Sequence, residues 1–88
     1  MIEKSVKIKD EKGLHIEPAK DISQVAADYK SKIYMVSGDA IANAKSLLNI
    51  LGAGIKCGAE VKLVCEGEDE AEAMEAVMKV LTEVGCID

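Results

Sequence analysis

Hydrophobic periodicity changes abruptly across Gly13-Leu14-His15-Ile16-Glu17-Pro18-Ala19, and that change limits the folds open to the chain. Before it, Ile2, Val6 and Ile8 share one face of a strand-like segment, Ile2 to Lys9, with Glu3, Lys7 and Lys9 opposing them. Asp10-Glu11-Lys12-Gly13 reads as a polar turn. After it, Ala19, Ile22, Val25, Ala26 and Tyr29 recur at helical spacing, with Lys20, Asp21, Gln24 and Asp28 toward water. The spacing predicts a helix over about Ile16 to Tyr29. Gly13 tolerates the backbone angles of a turn, and Pro18 suits a first helical turn, where its missing N–H is no loss. The stretch also holds the only histidine and the only proline of the chain. His15 therefore stands at or just before a helix start, beside free N–H groups and the positive end of the dipole. That is a ready anion site with a nucleophilic imidazole in it. Taken alone, an exposed histidine that precedes a helix accounts for the same residues.

The alternation of periods continues downstream. Lys32 to Val36 reads as a strand, closed by the turn signal Ser37-Gly38-Asp39 and followed by a short strand, Ala40 to Ala42. Ser46 is an N-cap residue for a short helix, Leu47 to Leu51, which Gly52 and Gly54 stop. Leu47, Leu48 and Leu51 crowd that segment, so some are expected to plug the core and some to form an exposed apolar patch for a partner. Glu60 to Glu66 alternates Val61, Leu63 and Cys65 with Lys62, Val64 and Glu66, a fourth strand. Asp69, with Glu72 three residues on, resembles a capping box. It opens a last helix to about Val84 with a buried stripe of Ala73, Met74, Val77, Leu81 and Val84, and Gly85 stands at the stop. Glu68-Asp69-Glu70-Glu72 reads as a solvated helix end rather than a metal site. The order is β-α-β-β-α-β-α: an α+β fold, with a four-stranded sheet and helices packed on one face.

Eighty-eight residues are enough for one domain, residues 1–88, with a single core and no disulfide or metal staple. With no Phe, no Trp and two Tyr, that core has to be aliphatic. The net charge of −5 argues against direct nucleic-acid binding by a basic surface. Met1-Ile2-Glu3-Lys4 has no apolar signal segment and no run reaches membrane-spanning length, so a cytoplasmic protein without membrane insertion is expected. Cys57, Cys65 and Cys86 cannot all pair with one another and match no zinc spacing, which fits reduced thiols. Cys57 is expected in a loop, without a role or as a reactive thiol. No metal and no cofactor are expected.

The Gly13–Ala19 motif, Asn43-Ala44-Lys45-Ser46-Leu47-Leu48, Gly54-Ile55-Lys56-Cys57-Gly58 and Glu66-Gly67-Glu68-Asp69-Glu70 together resemble the HPr phosphocarrier family of the bacterial sugar phosphotransferase system. The resemblance runs over nearly the whole chain and implies an open-faced β-sandwich with antiparallel strand order 1-4-2-3 and three helices on one face. It implies a carrier rather than a turnover enzyme. His15 stands where the family accepts a phosphoryl group on Nδ1 from phosphorylated enzyme I and passes it to enzyme II A domains. Ile16, Glu17 and Pro18 are the supporting positions. Ser46 stands at the family's regulatory serine, the target of HPr kinase/phosphorylase, whose phosphorylated form serves the catabolite control protein. Lys20, Lys45, Leu47, Leu48 and Leu51 are the partner-binding positions.

The chain departs from the family at charged positions. The usual motif is His-Ala-Arg-Pro-Ala; here it reads His15-Ile16-Glu17-Pro18-Ala19. The arginine expected to neutralise the histidine phosphate is replaced by a carboxylate, which repels it. Gln24, Ala27 and Asn49 stand where the family often carries lysine, so steering toward an acidic enzyme I surface is expected to suffer. Lys20 or Lys45 is the expected partner of Glu17 or stand-in for the arginine. The resemblance thus implies a phosphocarrier acting through His15, or alternatively a regulatory binding protein acting through Ser46 without efficient carrier activity.

Overall fold

The computed structural model describes residues 1–88. Strand alternation sets its layers: Val61, Leu63 and Cys65 are buried on one face of a strand, while Glu60, Lys62 and Glu66 face outward. The elements in chain order are β1 (Ile2–Lys7), α1 (Ile16–Ala26), β2 (Lys32–Ser37), β3 (Ala40–Asn43), α2 (Leu47–Gly52), β4 (Glu60–Glu66) and α3 (Glu70–Glu83). The strands form one antiparallel sheet in the order β1-β4-β2-β3. Three helices cover one face of it. This is the α+β open-faced β-sandwich that the resemblance implied.

Boundaries differ from expectation where a tertiary partner captures the backbone. β1 ends at Lys7 instead of Lys9, because Ile8 N–H donates to the Ala59 carbonyl (3.0 Å) and Lys9 N–H to the Cys86 carbonyl (2.8 Å). α1 ends at Ala26, short of Tyr29. Asp28 and Tyr29 N–H donate three residues back, to Val25 and Ala26, and tighten the chain into a turn. The hairpin is one residue longer on each strand, with Ser37 opposite Ala40 and Tyr34 opposite Asn43.

The expected capping box at α3 does not form. Asp69 occupies the N-cap position, yet its carboxylate accepts from the N–H groups of Lys30 (2.9 Å) and Ser31 (2.9 Å) and from the Ser31 hydroxyl. The Ser31 hydroxyl, and then the Lys30 N–H, hold its carboxyl down at about 2. Gly67 N–H donates instead to Glu70 (3.1 Å). The acidic run is therefore only in part a solvated end: Asp69 fastens the start of α3 to the loop between α1 and β2.

The core is one cluster of 21 buried apolar residues without a single aromatic ring. Val80 belongs to it, while Val84, expected in the buried stripe, is half-buried. α2 is anchored by Ile50, which is wholly buried; Leu47 and Leu51 are half-buried and Leu48 is 79 % exposed. Full burial of such a side chain is worth roughly 1.5–3 kcal/mol, so Ile50 holds the helix and Leu48 does not. All three cysteines are free. Burial, with the Asp10 carboxylate adding to it, pushes the Cys86 thiol up to about 11, and burial also raises Cys65. No helix is long and apolar enough to cross a membrane.

Candidate functional site

The turn before α1 is built by Asp10 and Gly13. Gly13 N–H donates to the Asp10 carbonyl (2.8 Å), closing a four-residue turn, and Lys12 N–H donates to Asp10 Oδ1 (2.9 Å). Gly13 has φ +68°, and a Cβ there would run into the Ile55 carbonyl and Lys56 Cα. Leu14 is buried and its N–H donates to Ile55 (2.9 Å), so the turn is pinned to the loop after α2. His15 follows as the N-cap residue of α1, in extended conformation (φ −82°, ψ −173°), with no side-chain capping bond.

The imidazole turns to the turn residue instead: His15 Nε2 lies 3.5 Å from Asp10 Oδ2, with the histidine side chain 30 % exposed. With Nε2 facing that carboxylate, Nδ1 is the nitrogen left for other chemistry. The Lys12 N–H, and more weakly the His15 ring, hold the Asp10 carboxyl below the usual carboxylate range. At the helix start, the N–H groups of Ile16 and Glu17 have no intrahelical acceptor, Pro18 has none to offer, and Ala19 N–H donates to the His15 carbonyl (3.1 Å). A cleft of about 300 Å³ opens here, lined by Asp10, His15, Glu17, Pro18, Asp21 and Val84. Three carboxylates thus surround the imidazole. They do not converge as a metal-ligand set.

Neither Lys20 nor Lys45 forms an ion pair with Glu17. The chain contains no arginine, and Glu17 forms no ion pair. Lys45 Nζ donates to the Tyr29 carbonyl (2.6 Å), in the turn beyond the C-terminal end of α1. His15 is at the other end of α1, whose eleven residues span about 16 Å. Lys20 is exposed and unpaired on α1.

Ser46 caps α2 as expected: its hydroxyl accepts from the Asn49 N–H (3.2 Å) and from Asn49 Nδ2 (3.2 Å). Asn43 completes the arrangement, with its side chain accepting from Lys45 N–H (2.9 Å) and its own N–H donating to Asn49 Oδ1 (3.5 Å). Asn49, noted in the sequence only as a missing lysine, is a partner of the cap. His15 and Ser46 are not brought together. Around His15, Ile16 is 58 % exposed, and Glu17 is exposed beside it. Asp10 and Asp21, a turn residue and a water-facing helix residue by sequence, line the cleft with His15. The signal for Asp10 was available, since Asp at the first and Gly at the fourth turn position directs that side chain onto the following residues.

The phosphotransferase HPr family, whose pattern is described as the PTS HPr component phosphorylation site, matches residues 2–83. The phosphocarrier protein HPr of Treponema pallidum is 36 % identical over 80 residues, covering 91 % of either chain. The HPr-like protein Crh of Halalkalibacterium halodurans is 37 % identical over 78 residues, covering 89 % of this chain and 93 % of that one. The solved histidine-containing phosphocarrier protein of Mycoplasma superposes with a TM-score of 0.98 at 28 % identity, covering 99 % of each chain. The phosphorylation-site pattern spans the imidazole at the start of α1, and the fold around it is that of the solved phosphocarrier. The chain belongs to the HPr family of phosphocarrier proteins of the phosphotransferase system.

Proposed function

We propose that this protein carries phosphate on His15 in the sugar phosphotransferase system. It accepts the group from phosphorylated enzyme I and passes it to enzyme II A domains in the cytoplasm. The observation that carries the reading is an imidazole at an uncapped helix start, with Nε2 on Asp10, Nδ1 free and two unclaimed N–H groups beside it. In the transfer, the neutral Nδ1 lone pair forms the bond to phosphorus as the donor's bond to phosphorus breaks and the donor keeps that electron pair. The Ile16 and Glu17 amides stabilise the arriving oxygens. Lys20 and the exposed side chains of Ile16 and Leu48, with Leu47 and Leu51 behind, form the contact surface for partners.

A second reading is favoured by the carboxylates around His15 and by the Crh relative. In it, Ser46 is the modified residue, acted on by HPr kinase/phosphorylase and read by the catabolite control protein. A phosphate there would sit at the start of α2 and strengthen the cap electrostatically.

The test is phosphoryl transfer from phosphoenolpyruvate with magnesium and enzyme I of the same organism, scored as acid-labile phosphate on His15, with Glu17→Arg alongside. Efficient labelling of the natural chain supports the carrier. No labelling, together with a gain in the arginine variant, supports the Ser46 reading.

A further inference from the structure

The cleft at His15 reaches Asp21 on α1. A second cleft of about 570 Å³ opens between α1 and α3, with Val25, Tyr29, Ala76 and Val80 as its apolar floor. Asp21, Val25 and Tyr29 are spaced four apart, as are Ala76, Val80 and Val84 on the other helix, so each set lies along one stripe. Val84 lines the His15 cleft and Tyr29 the far one, so α1 and α3 run antiparallel and the two clefts lie one helical turn apart along the same α1–α3 groove line, Asp21 to Val25 on one side and Val84 to Val80 on the other. Glu72, Glu75 and Glu83 edge its α3 side. With Asp10, Glu17 and Asp21, the groove carries six carboxylates against one lysine, Lys79. Apart from Asp10 at His15, none of them pairs with a cation of this chain.

An apolar floor with acidic rims fits a helix or extended segment carrying an apolar stripe flanked by lysine or arginine. The larger cleft lies one helical turn from the His15 pocket, where an arriving phosphate meets three carboxylates and no arginine. A basic segment seated in it would bring to His15 the positive charge that this chain lacks. We infer that the α1–α3 groove is the docking surface for a basic, apolar-striped segment of the phosphoryl donor. This rests on the carrier reading and extends it to a second helix, outside the α1–α2 face. The charge complementarity that elsewhere puts cations on the carrier is here reversed across the interface.

The full chain is assayed with enzyme I of the same organism and phosphoenolpyruvate, reading the KM and kcat for labelling of His15. The groove variant is Glu75→Lys with Glu83→Lys, both exposed and on α3. Its control is Glu3→Lys with Glu60→Lys, which changes net charge equally on the strands. The groove variant is expected to raise KM about tenfold with kcat nearly unchanged, and the wild-type KM to rise with salt, while the control stays within about twofold. An unchanged KM in the groove variant, or an equal rise in the control, would overturn the docking inference alone. A wild-type chain that takes no label would overturn the carrier reading and the inference with it.

Discussion

The starts of α1 and α2 present the same local problem, and only one of them answers it with a side-chain cap. Each begins with free amides that need acceptors. At α2, Ser46 supplies an acceptor for the third amide and Asn49 donates to it twice, while the amides of Leu47 and Leu48 stay open. At α1, His15 occupies the same position without capping, its ring drawn to Asp10, and the amides of Ile16 and Glu17 are left open. A side-chain cap fixes a helix start by itself; a start without one draws its stability from elsewhere. Here it comes from the Asp10–Gly13 turn and the Leu14 anchor.

The sharpest way to break this comparison is to remove both cap residues in turn. His15→Ala is expected to abolish acid-labile labelling entirely while changing unfolding free energy by no more than about 0.5 kcal/mol, since no cap bond is lost. A stability loss comparable to that of the Ser46 variant, measured by urea unfolding, would mean that the α1 start is capped after all. Next in size is the anchor of α2. Ile50→Ala should cost about 2–5 kcal/mol, against less than about 0.5 kcal/mol for Leu48→Ala at its exposed neighbour. Equal losses from the two variants in denaturant melts would show that the leucine patch, rather than the core, holds the capped end.

Gly13→Ala tests what supports the uncapped end. A left-handed φ and a collision with the loop after α2 should together cost about 1–3 kcal/mol. The displaced turn should also take the Lys12 N–H and His15 away from Asp10, visible by NMR as a rise of the Asp10 carboxyl toward its ordinary value. An unaltered Asp10 titration would separate the turn from the site. Ser46→Ala comes after it, at about 1 kcal/mol for the lost cap, with His15 labelling unchanged.

The start of α3 sharpens the comparison by adding a third outcome, and it does so in acid. Asp69 is held at about 2, below its ordinary value. Because the folded form binds its proton less tightly than the unfolded chain does, its contribution is complete above the unfolded value. It fades as pH falls toward about 2. Asp69→Asn should therefore be less stable than the natural chain at pH 7, with the gap closing in acid. A gap that stays constant down to pH ~2 would assign the effect to packing rather than ionisation.

Local grammar and long-range geometry divided the work visibly in this chain. Period-2 and period-3.6 patterns, Gly13 and Pro18 around His15, Ser46 before three apolar residues, and Gly85 after the last helix determined all seven elements and their order. They did so because each is decided by neighbours along the chain. What the tertiary structure decided were matters of distant partners. Asp69 reads as a capping-box residue from the sequence, but Ser31 and Lys30 compete for its carboxylate once α1 and α3 are packed. Lys45 reads as a neighbour for Glu17, but the carbonyl of Tyr29 lies nearer at the far end of α1. The carboxylates around His15 come from the turn before α1 and from its first two turns, and Val84 arrives from α3. His15 at a helix start, with Glu17 where the resembling family has an arginine, was legible in the residues alone. Tertiary packing decided that Lys45 is committed to the Tyr29 carbonyl at the far end of α1, because the reach of a lysine is set by where packing places its Cα and by which carbonyl claims it first.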